Sequence, residues 1–309
     1  MPRVLHVQSG MGVFHEGERA VQKRAGVSAE ARSLGRGISS VLSAGIGPFV
    51  EAQRMAVLAA ADDDGRLWAS LVMGKPGFIT APDEHTLSLV AELPAADPVS
   101  ACLGNGQPVG ALVFDPARRR RLRLNGRAIA GRAGHIDIRI DEVFGNCPKY
   151  IQARAPEPQI AHERSGDGRH SQALSAPQRL AIERADTFFI ASAHAGSGAD
   201  ASHRGGLPGF VRVMGERTLR FPDYAGNNMF QTLGNISTDP RVGLLFVEFD
   251  SGTTLQLTGR ARILWDREEF HELAGAERAV EVEIDEVVEI AGQGPLGWRF
   301  VGYSSFNPR

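Results

Sequence analysis

One short run of this chain carries three side chains that together can bind an anionic ligand. Ser202, His203 and Arg204 are consecutive, and Gly205 and Gly206 follow them. In a β-strand, Ser202 and Arg204 lie on one face and His203 on the other. A face with a hydroxyl and a guanidinium suits a heteroaromatic ligand whose ring needs hydrogen bonds and whose phosphate needs a cation. A solvent-facing edge strand is the alternative interpretation.

A second segment has the composition of a phosphate-binding turn. Gly226 lets the backbone approach a ligand closely, and Asn227 and Asn228 are expected to cap a helix that begins at Met229. The free N–H groups and the dipole of such a helix favour an anion. An ordinary Asn-capped helix is the alternative, since Gly turns before capped helices are common.

The elements that must position these residues occur twice in the chain. Residues 68–87 and 200–219 share the same pattern of Ser, Pro-Gly-Phe and Thr-Leu motifs at the same spacing. Further matching blocks are 109–112 with 242–245 and 124–128 with 257–261. A repeat of this length is a whole folding unit. Each copy contains short apolar runs separated by turn residues, which predicts an all-β sheet that closes on itself.

These patterns divide the chain into four parts. A helical extension at 1–44 precedes a first barrel at 45–152, and a second barrel, with the phosphate site, occupies 177–309. Between them, 153–176 is rich in Pro, Gly and polar residues without periodicity, which predicts a linker. The expected fold class is mainly β with short helices, α+β.

Composition argues against several classes of function. The 309 residues, 42% of them hydrophobic, suffice for two cores, and a formal charge of −2 gives no reason to expect nucleic acid. The basic run 118–121 with Arg123 is expected to form a solvent-exposed hairpin. Two cysteines, Cys102 and Cys147, are too few for a disulfide framework or a zinc site, so no metal is expected. Without a signal peptide or apolar span, the sequence predicts a cytoplasmic protein with no membrane partner.

Taken together, the motifs resemble a known family, the split-barrel flavoproteins related to pyridoxamine 5'-phosphate oxidase. The resemblance covers nearly the whole chain and is to the two-barrel branch, whose members are often fused to a reductase and ferredoxin module. The motifs that carry it are 202–206, 208–213, 223 with 226–228, 232–236 with 239–240, and 257–261, together with 14–18 and 144–151.

The resemblance implies tandem split β-barrels that form an intrachain pseudo-dimer and hold FMN at their seam. By position, the residues that would line the isoalloxazine ring and ribityl chain are Ser202, His203, Arg204 and Gly205. Those that would meet the phosphate are Asn227, Asn228 and Thr232. The first barrel would supply the other wall through Asn146 and Lys149, with Cys147 between them as a small buried residue.

The chain departs from the oxidases of this family at two places. They carry a basic Arg-Lys pair where this chain has Asn227 and Asn228, and their basic substrate-binding residues near the C-terminus have no match in 296–300. We therefore expect an FMN-dependent oxidoreductase that acts on another small organic or heteroaromatic substrate. Electrons would come from NAD(P)H or a separate donor, and further dimerisation of the chain stays open.

Few side chains need be catalytic in a flavoenzyme, because the cofactor carries the hydride and electron chemistry. His203 is the candidate proton donor. Lys149 or Arg204 would stabilise the anionic reduced flavin electrostatically.

The alternative function is a split barrel that binds flavin or haem without turnover. Haem requires an axial ligand, most often histidine. The candidates are His15, His85, His135, His162, His170, His194, His203 and His271, with His6 at the start of the chain. None of them stands in a recognisable haem motif.

Overall fold

The computed structural model describes residues 13–129, 134–158, 167–292 and 296–308. Within these ranges the α-helices are α1 (Glu16–Arg24), α2 (Ser28–Gly35), α3 (Gly47–Glu51), α4 (Ala176–Arg184) and α5 (Gln231–Thr238). None of the described helices has the length and apolarity needed to cross a bilayer.

Two antiparallel sheets with the same strand order make up most of the molecule. In spatial order the first contains β2 (Leu67–Met73), β1 (Met55–Ala61), β5 (Pro108–Asp115), β6 (Arg120–Ile129), β7 (His135–Gly145), β4 (Thr86–Val90) and β3 (Ile79–Asp83). The second contains β11 (Gly198–Gly205), β10 (Thr187–His194), β14 (Arg241–Val247), β15 (Thr254–Leu264), β16 (Arg278–Ile290), β13 (Thr218–Asp223) and β12 (Arg212–Val213). The predicted class, mainly β with tandem split barrels, is confirmed.

Both sheets contain the same irregularity at the same place. The register shifts at Gly126 in the pairing of β6 with β7, and at Gly259 in the pairing of β15 with β16. A Cβ atom on Gly126 would lie 2.0 Å from the carbonyl oxygen of Arg139, and one on Gly259 would lie 2.1 Å from that of Glu283. Only glycine fits these bulges, which accounts for the glycine that begins the Gly-Arg-Ala block in each sheet.

The prediction of a linker at 153–176 is wrong, because most of the described residues in this range belong to β-strands. β8 (Ala153–Pro158) pairs with β17 (Leu296–Gly302) in a separate two-stranded sheet, and β9 (Gly168–Ser171) adds to β16. The prolines that indicated a linker lie in a two-stranded sheet, where missing N–H groups are tolerated at the edge. β17, assigned from sequence to the second barrel, therefore belongs to this small sheet.

An apolar layer, here called the seam, joins the two barrels. Alternate residues of β1 face opposite ways: Ala56, Leu58 and Ala60 pack in the core of the first barrel, whereas Met55 and Val57 pack in the seam. The other main members of the seam are Ala59, Leu67, Leu112, Phe114, Phe189, Ala191 and Leu245. A strand buried on both faces needs a continuous apolar sequence, which is what β1 has.

Two glycines let the barrels approach closely across the seam. A Cβ atom on Gly110 of β5 would lie 2.7 Å from the carbonyl oxygen of Ala199 in β11. A Cβ atom on Gly243 of β14 would lie 2.6 Å from the carbonyl oxygen of Leu67 in β2. The clashing atoms belong to backbone, so they cannot rotate away.

We expect Gly243→Ala to lower the free energy of unfolding by about 1–3 kcal/mol, because overpacking at a backbone contact forces the barrels apart. Urea unfolding measures this. The control is Gly215→Ala, where an added Cβ atom would meet nothing within 4 Å. Equal effects of the two substitutions would contradict close contact at the seam.

Candidate functional site

A pocket opens at one end of the seam, where β6, β11 and the segment before α5 meet. This seam pocket holds about 870 Å³ of space, including its open mouth. The structure brings together all nine residues predicted to bind a cofactor: Asn146, Lys149, Ser202, His203, Arg204, Gly205, Asn227, Asn228 and Thr232. Both barrels contribute to the wall.

Ser202 lies at the centre of the inner wall. Its Oγ atom accepts a hydrogen bond from Nη1 of Arg123, at 2.8 Å, and one from Oγ1 of Thr232, at 3.1 Å. Ser202 is buried, as is Thr232. Because the oxygen already accepts two bonds, the hydroxyl proton of Ser202 remains available to donate to a ligand.

The basic run in β6 forms part of the pocket, so the prediction of a solvent-exposed hairpin is wrong for two of its arginines. Leu122 and Leu124 point into the core of the first barrel, and the alternate residues Arg121 and Arg123 therefore point to the seam. Arg123 is only 2% exposed and forms an ion pair with Asp200 of β11. The Arg-Leu-Arg-Leu alternation was the available sequence signal for two inward-facing cations.

His203 is buried, and its tautomer is fixed by a neighbour. Its ring stacks on Phe114 with centroids 5.0 Å apart, and Nη1 of Arg121 lies 2.7 Å from Nδ1. A guanidinium can only donate, so Nδ1 is the acceptor and the proton of the neutral ring lies on Nε2. Burial, with the charges of Arg121 and Arg204, holds the pKa of His203 well below its usual value. This disfavours His203 as an imidazolium acid and leaves it as a neutral hydrogen-bond donor.

Arg204 is held in place from one side only. Its Nη1 atom donates to the carbonyl oxygen of His203 at 3.2 Å, while its Nε atom is buried with no partner among the described residues. The charge of Asp223 stabilises the Arg204 guanidinium, and Asp223 in turn accepts a 2.9 Å hydrogen bond from Nε of Arg278. Burial raises the pKa of Asp223, although both arginines oppose the rise.

The turn before α5 is built differently from the prediction. Helix α5 begins at Gln231, after Phe230 in a left-handed conformation, and no side chain caps it, so the expected capping by the two asparagines is wrong. Instead Oδ1 of Asn227 accepts from the backbone N–H of Met229 at 3.1 Å, and its Nδ2 donates to Oδ1 of Asn146 at 2.8 Å. The asparagines therefore shape the turn and tie it to the first barrel, and the uncapped first turn of α5 faces the pocket.

Left-handed backbone conformations are concentrated around this pocket. Among the described residues other than glycine, φ is positive at Arg119, Tyr150, Asn228 and Phe230, with values of 53°, 64°, 58° and 60°. The last three line the seam pocket. Such conformations cost of order 1–3 kcal/mol each and cluster at functional sites.

Aromatic and reactive side chains form the rim of the pocket. The rings of Tyr150 and Tyr224 lie 5.1 Å apart, and the Tyr150 hydroxyl donates to the carbonyl oxygen of Ala225 at 2.9 Å. Lys149 and Cys147 also line the pocket. Cys147 is partly exposed as a free thiol, in contrast to the buried position expected for it.

A polar network behind the pocket connects it to α1. Nδ2 of Asn235 donates to Oδ2 of Asp200 at 2.5 Å, and Nε2 of His15 lies 2.9 Å from Oδ1 of Asn235. A Cβ atom on Gly17 would lie 2.3 Å from the carbonyl oxygen of Gly234, so α1 and α5 meet backbone to backbone. The segment 14–18, singled out from the sequence, thus supports the helix and the aspartate that pairs with Arg123.

Only one of the described histidines lines the seam pocket, and it is His203. His15 and His194 stack beside α1 with centroids 3.9 Å apart, and Glu16 completes a group whose ligand atoms lie within 4.8 Å of one another. Hydrogen bonds already occupy both nitrogens of each of these two rings. His6 and His162 lie outside the described residues.

Comparison with sequence models of protein families gives a match in the second barrel. The sequence model of the pyridoxamine 5'-phosphate oxidase family matches residues 176–292, which contain α4, α5 and all strands of the second barrel. The second barrel is therefore similar in sequence to this family over its whole length. The resemblance inferred from the motifs is thereby confirmed. No curated protein matches the chain.

The solved structures that are similar to this chain are distant from it in sequence. HupZ of Group A Streptococcus is 11% identical with a TM-score of 0.33, and the match covers 39% of this chain and 100% of HupZ. A protein from Clostridium acetobutylicum related to general stress protein 26 of B. subtilis is 12% identical with a TM-score of 0.30, over 39% of this chain and 89% of that one. The FAD binding protein from Mycobacterium smegmatis is 15% identical with a TM-score of 0.28, over 39% and 99%. Similarity at this level carries no information on ligand or activity.

We expect Arg123→Gln to destabilise the fold by about 3–5 kcal/mol, because it leaves the buried carboxylate of Asp200 without its counter-charge. Adding Asp200→Asn in the same chain removes that charge, so the double variant should recover much of the loss. Urea unfolding of the two single variants and the double variant measures the coupling. Additive losses would show that the pair is not a buried ion pair.

Glu18 of α1 gives a pH dependence of stability. Burial raises the pKa of its carboxyl from 4.5 to about 8, and the charge of Asp200 adds to the rise. Between these values the folded state binds more protons than the unfolded state, so the free energy of unfolding falls as pH rises from about 5 to about 8.

The variant Glu18→Gln keeps an oxygen that can accept from the backbone N–H of His15 and removes the titration. We expect the variant to gain stability relative to the unsubstituted protein as pH rises through this interval. Urea unfolding at several pH values measures the difference. A difference that stays constant with pH would refute the raised pKa.

Proposed function

We propose that the seam pocket binds FMN and that the protein is an FMN-dependent oxidoreductase acting on a small organic or heteroaromatic substrate. The observation that carries this proposal is a set of buried donors without partners. Nε of Arg121, Nε2 of His203 and Nε of Arg204 have no hydrogen-bond partner among the described residues, and all three side chains line one pocket. Buried polar atoms are rarely left unpaired, so their convergence favours a ligand rich in acceptors.

The charge of the pocket supports an anionic ligand. The cations that line it are Arg121, Arg123, Lys149 and Arg204, and Asp223 is the one acidic residue among its described lining. Arg123 is neutralised by Asp200, which leaves an excess of positive charge. Burial lowers the pKa of Arg121 to about 10, and repulsion by the charge of Arg204 adds to the fall. A phosphate group would relieve that repulsion.

The residues present fit the parts of FMN. The uncapped first turn of α5, to which Thr232 belongs, suits the phosphate, because free N–H groups at a helix N-terminus bind anions. Ser202 and Arg204 present donors that suit the oxygen and nitrogen atoms of the ring. When bound, the flavin supplies hydride and electron transfer. Arg204 and Lys149 would then stabilise negative charge on the reduced ring.

Haem is the less favoured ligand for a specific reason. An axial ligand must offer iron an unprotonated imidazole nitrogen. Nδ1 of His203 faces Arg121, and the other nitrogen, Nε2, carries the proton. For the reductant, we propose NAD(P)H or a separate donor that diffuses to the pocket. The Gly-x-Gly-x-x-Gly pattern at 292–297 leads into β17, whereas a dinucleotide-binding motif must open a helix.

We expect the purified protein to be yellow and its extracted ligand to have the mass of FMN. Arg204→Gln should weaken FMN binding at least about tenfold, which corresponds to about 1.4 kcal/mol for the loss of one charge-assisted contact. The matched control is Arg212→Gln, because Arg212 is an exposed arginine of the same barrel that lies outside the pocket lining. Fluorescence quenching of added FMN measures the affinities.

Thr232→Val provides a variant of similar volume for the case that Arg204→Gln does not fold, and it should also weaken FMN binding. A colourless protein that binds no added FMN would overturn the proposal, and extraction of FAD alone would replace FMN by FAD. Anaerobic mixing of the loaded protein with NADH and with NADPH then tests turnover, since bleaching of the flavin band reports reduction.

A further inference from the structure

A second cavity adjoins the seam pocket on the side of the first barrel. It lies between α3, the start of β6 and the end of β7, and it holds about 750 Å³ of space including its mouth. This side cavity is lined chiefly by Phe49, Arg120, Leu122 and Pro148. Arg121 and Asn146 line both spaces and form their common wall. A molecule in the side cavity would therefore lie next to a ligand of the seam pocket.

The floor of the side cavity is apolar and contains an aromatic ring. Ile46, Phe49, Leu122 and Pro148 provide apolar surface, and none of the described residues that line the cavity is acidic. Ile46 and Phe49 are half-buried, so their surfaces remain accessible from the cavity. Such a floor suits a flat aromatic ring, which gains both apolar burial and ring contact.

Three consecutive arginines lie beside this floor, and they differ in whether their guanidinium groups make hydrogen bonds. Arg119 donates to backbone carbonyl groups of residues 151, 302 and 303, and Arg121 donates to His203. Arg120 is exposed and lies over the ring of Phe49, with its Cζ atom 4.7 Å from the ring centroid. In the described chain the Arg120 guanidinium has no hydrogen bond or ion pair. One free planar cation complements one negative charge, and it can bind a carboxylate through two parallel hydrogen bonds.

We propose that the side cavity is the substrate site and that it takes an aromatic carboxylate. The ring packs on the apolar surface of Ile46, Leu122 and Pro148 beside Phe49, and the carboxylate pairs with Arg120, which lies over the Phe49 ring. This inference rests on the proposed function, because only a flavin in the seam pocket makes the neighbouring cavity a place for a reacting molecule.

Benzoate and benzamide test the proposal, since they have nearly the same shape and differ in charge. Isothermal titration calorimetry with the full chain, with and without added FMN, measures both affinities directly and needs no turnover. We expect benzoate to bind at least about tenfold more tightly than benzamide. Arg120→Gln should abolish this preference while leaving benzamide affinity unchanged.

The matched control is Arg118→Gln in the same hairpin. The side chain of Arg118 is 71% exposed and pairs with Asp115 outside the side cavity, so this variant should keep the preference for benzoate. A preference that survives Arg120→Gln, or is lost equally in Arg118→Gln, overturns the inference, as does equal binding of the two probes by the unsubstituted protein.

The two proposals fail separately. A protein that binds FMN but does not distinguish benzoate from benzamide refutes the aromatic carboxylate site and leaves the flavin proposal standing. A protein that binds benzoate through Arg120 but takes up no FMN shows the anion site and refutes the flavin proposal, and with it the assignment of the side cavity as a substrate site.

Discussion

Everything in this molecule depends on the apolar seam between the two barrels. Because Gly110 and Gly243 let backbone meet backbone, the inner strands of each barrel are buried on both faces and leave no room for polar side chains along most of their length. Polar groups can therefore enter the seam only near its ends. At one end, Arg123 crosses from the first barrel to Asp200 and Ser202 of the second, and the seam pocket opens beside this contact. The site is a property of the pair of barrels, since neither barrel holds both the cation and its partner.

Pseudo-twofold symmetry between the barrels relates the pocket end of the seam to its other end. A few residue differences between the two ends make the molecule asymmetric. Gln256 occupies in β15 the place that Arg123 has in β6, and its Nε2 atom donates to Oγ of Ser70 at 2.7 Å, as Arg123 donates to Ser202. Trp68 occupies in the first barrel the position that Asp200 has in the second. The buried carboxylate of Asp97 accepts a hydrogen bond from the hydroxyl of Ser70. Burial raises the pKa of Asp97, so this end is a packed, weakly charged cluster in place of a cationic pocket. The cationic lining is therefore found at the end of the seam that includes β11.

The parts of the site that depend on local sequence pattern could be predicted. The parts that depend on contacts between distant segments of the chain could not. The repeated blocks and turn residues indicate the strands, and the run from Ser202 to Gly205 was assigned to the site because hydroxyl and guanidinium groups are unusual on a core face. The Arg-Leu-Arg-Leu alternation indicates that Arg121 and Arg123 share one face of β6, but only the tertiary structure shows that this face meets the other barrel. The pairing of β8 with β17 joins segments from opposite ends of the second half, so the prolines in β8 suggested a linker. The asparagine turn failed as a cap because Phe230 takes the left-handed position before α5.

The seam pocket stores free energy that the rest of the structure must offset. Three buried donors without partners each cost about 1–3 kcal/mol, and the left-handed residues Tyr150, Asn228 and Phe230 add a similar amount each. Cations held close together at Arg121 and Arg204 repel one another as well. A core that needed only to fold would replace these groups with apolar side chains. The opposite end of the seam does so with Leu71 and Val72, at the positions of His203 and Arg204 in the repeat. A ligand that accepts from the donors and neutralises the cations recovers most of this cost. The same features that are unfavourable for folding would therefore make the pocket selective for an anionic, acceptor-rich molecule.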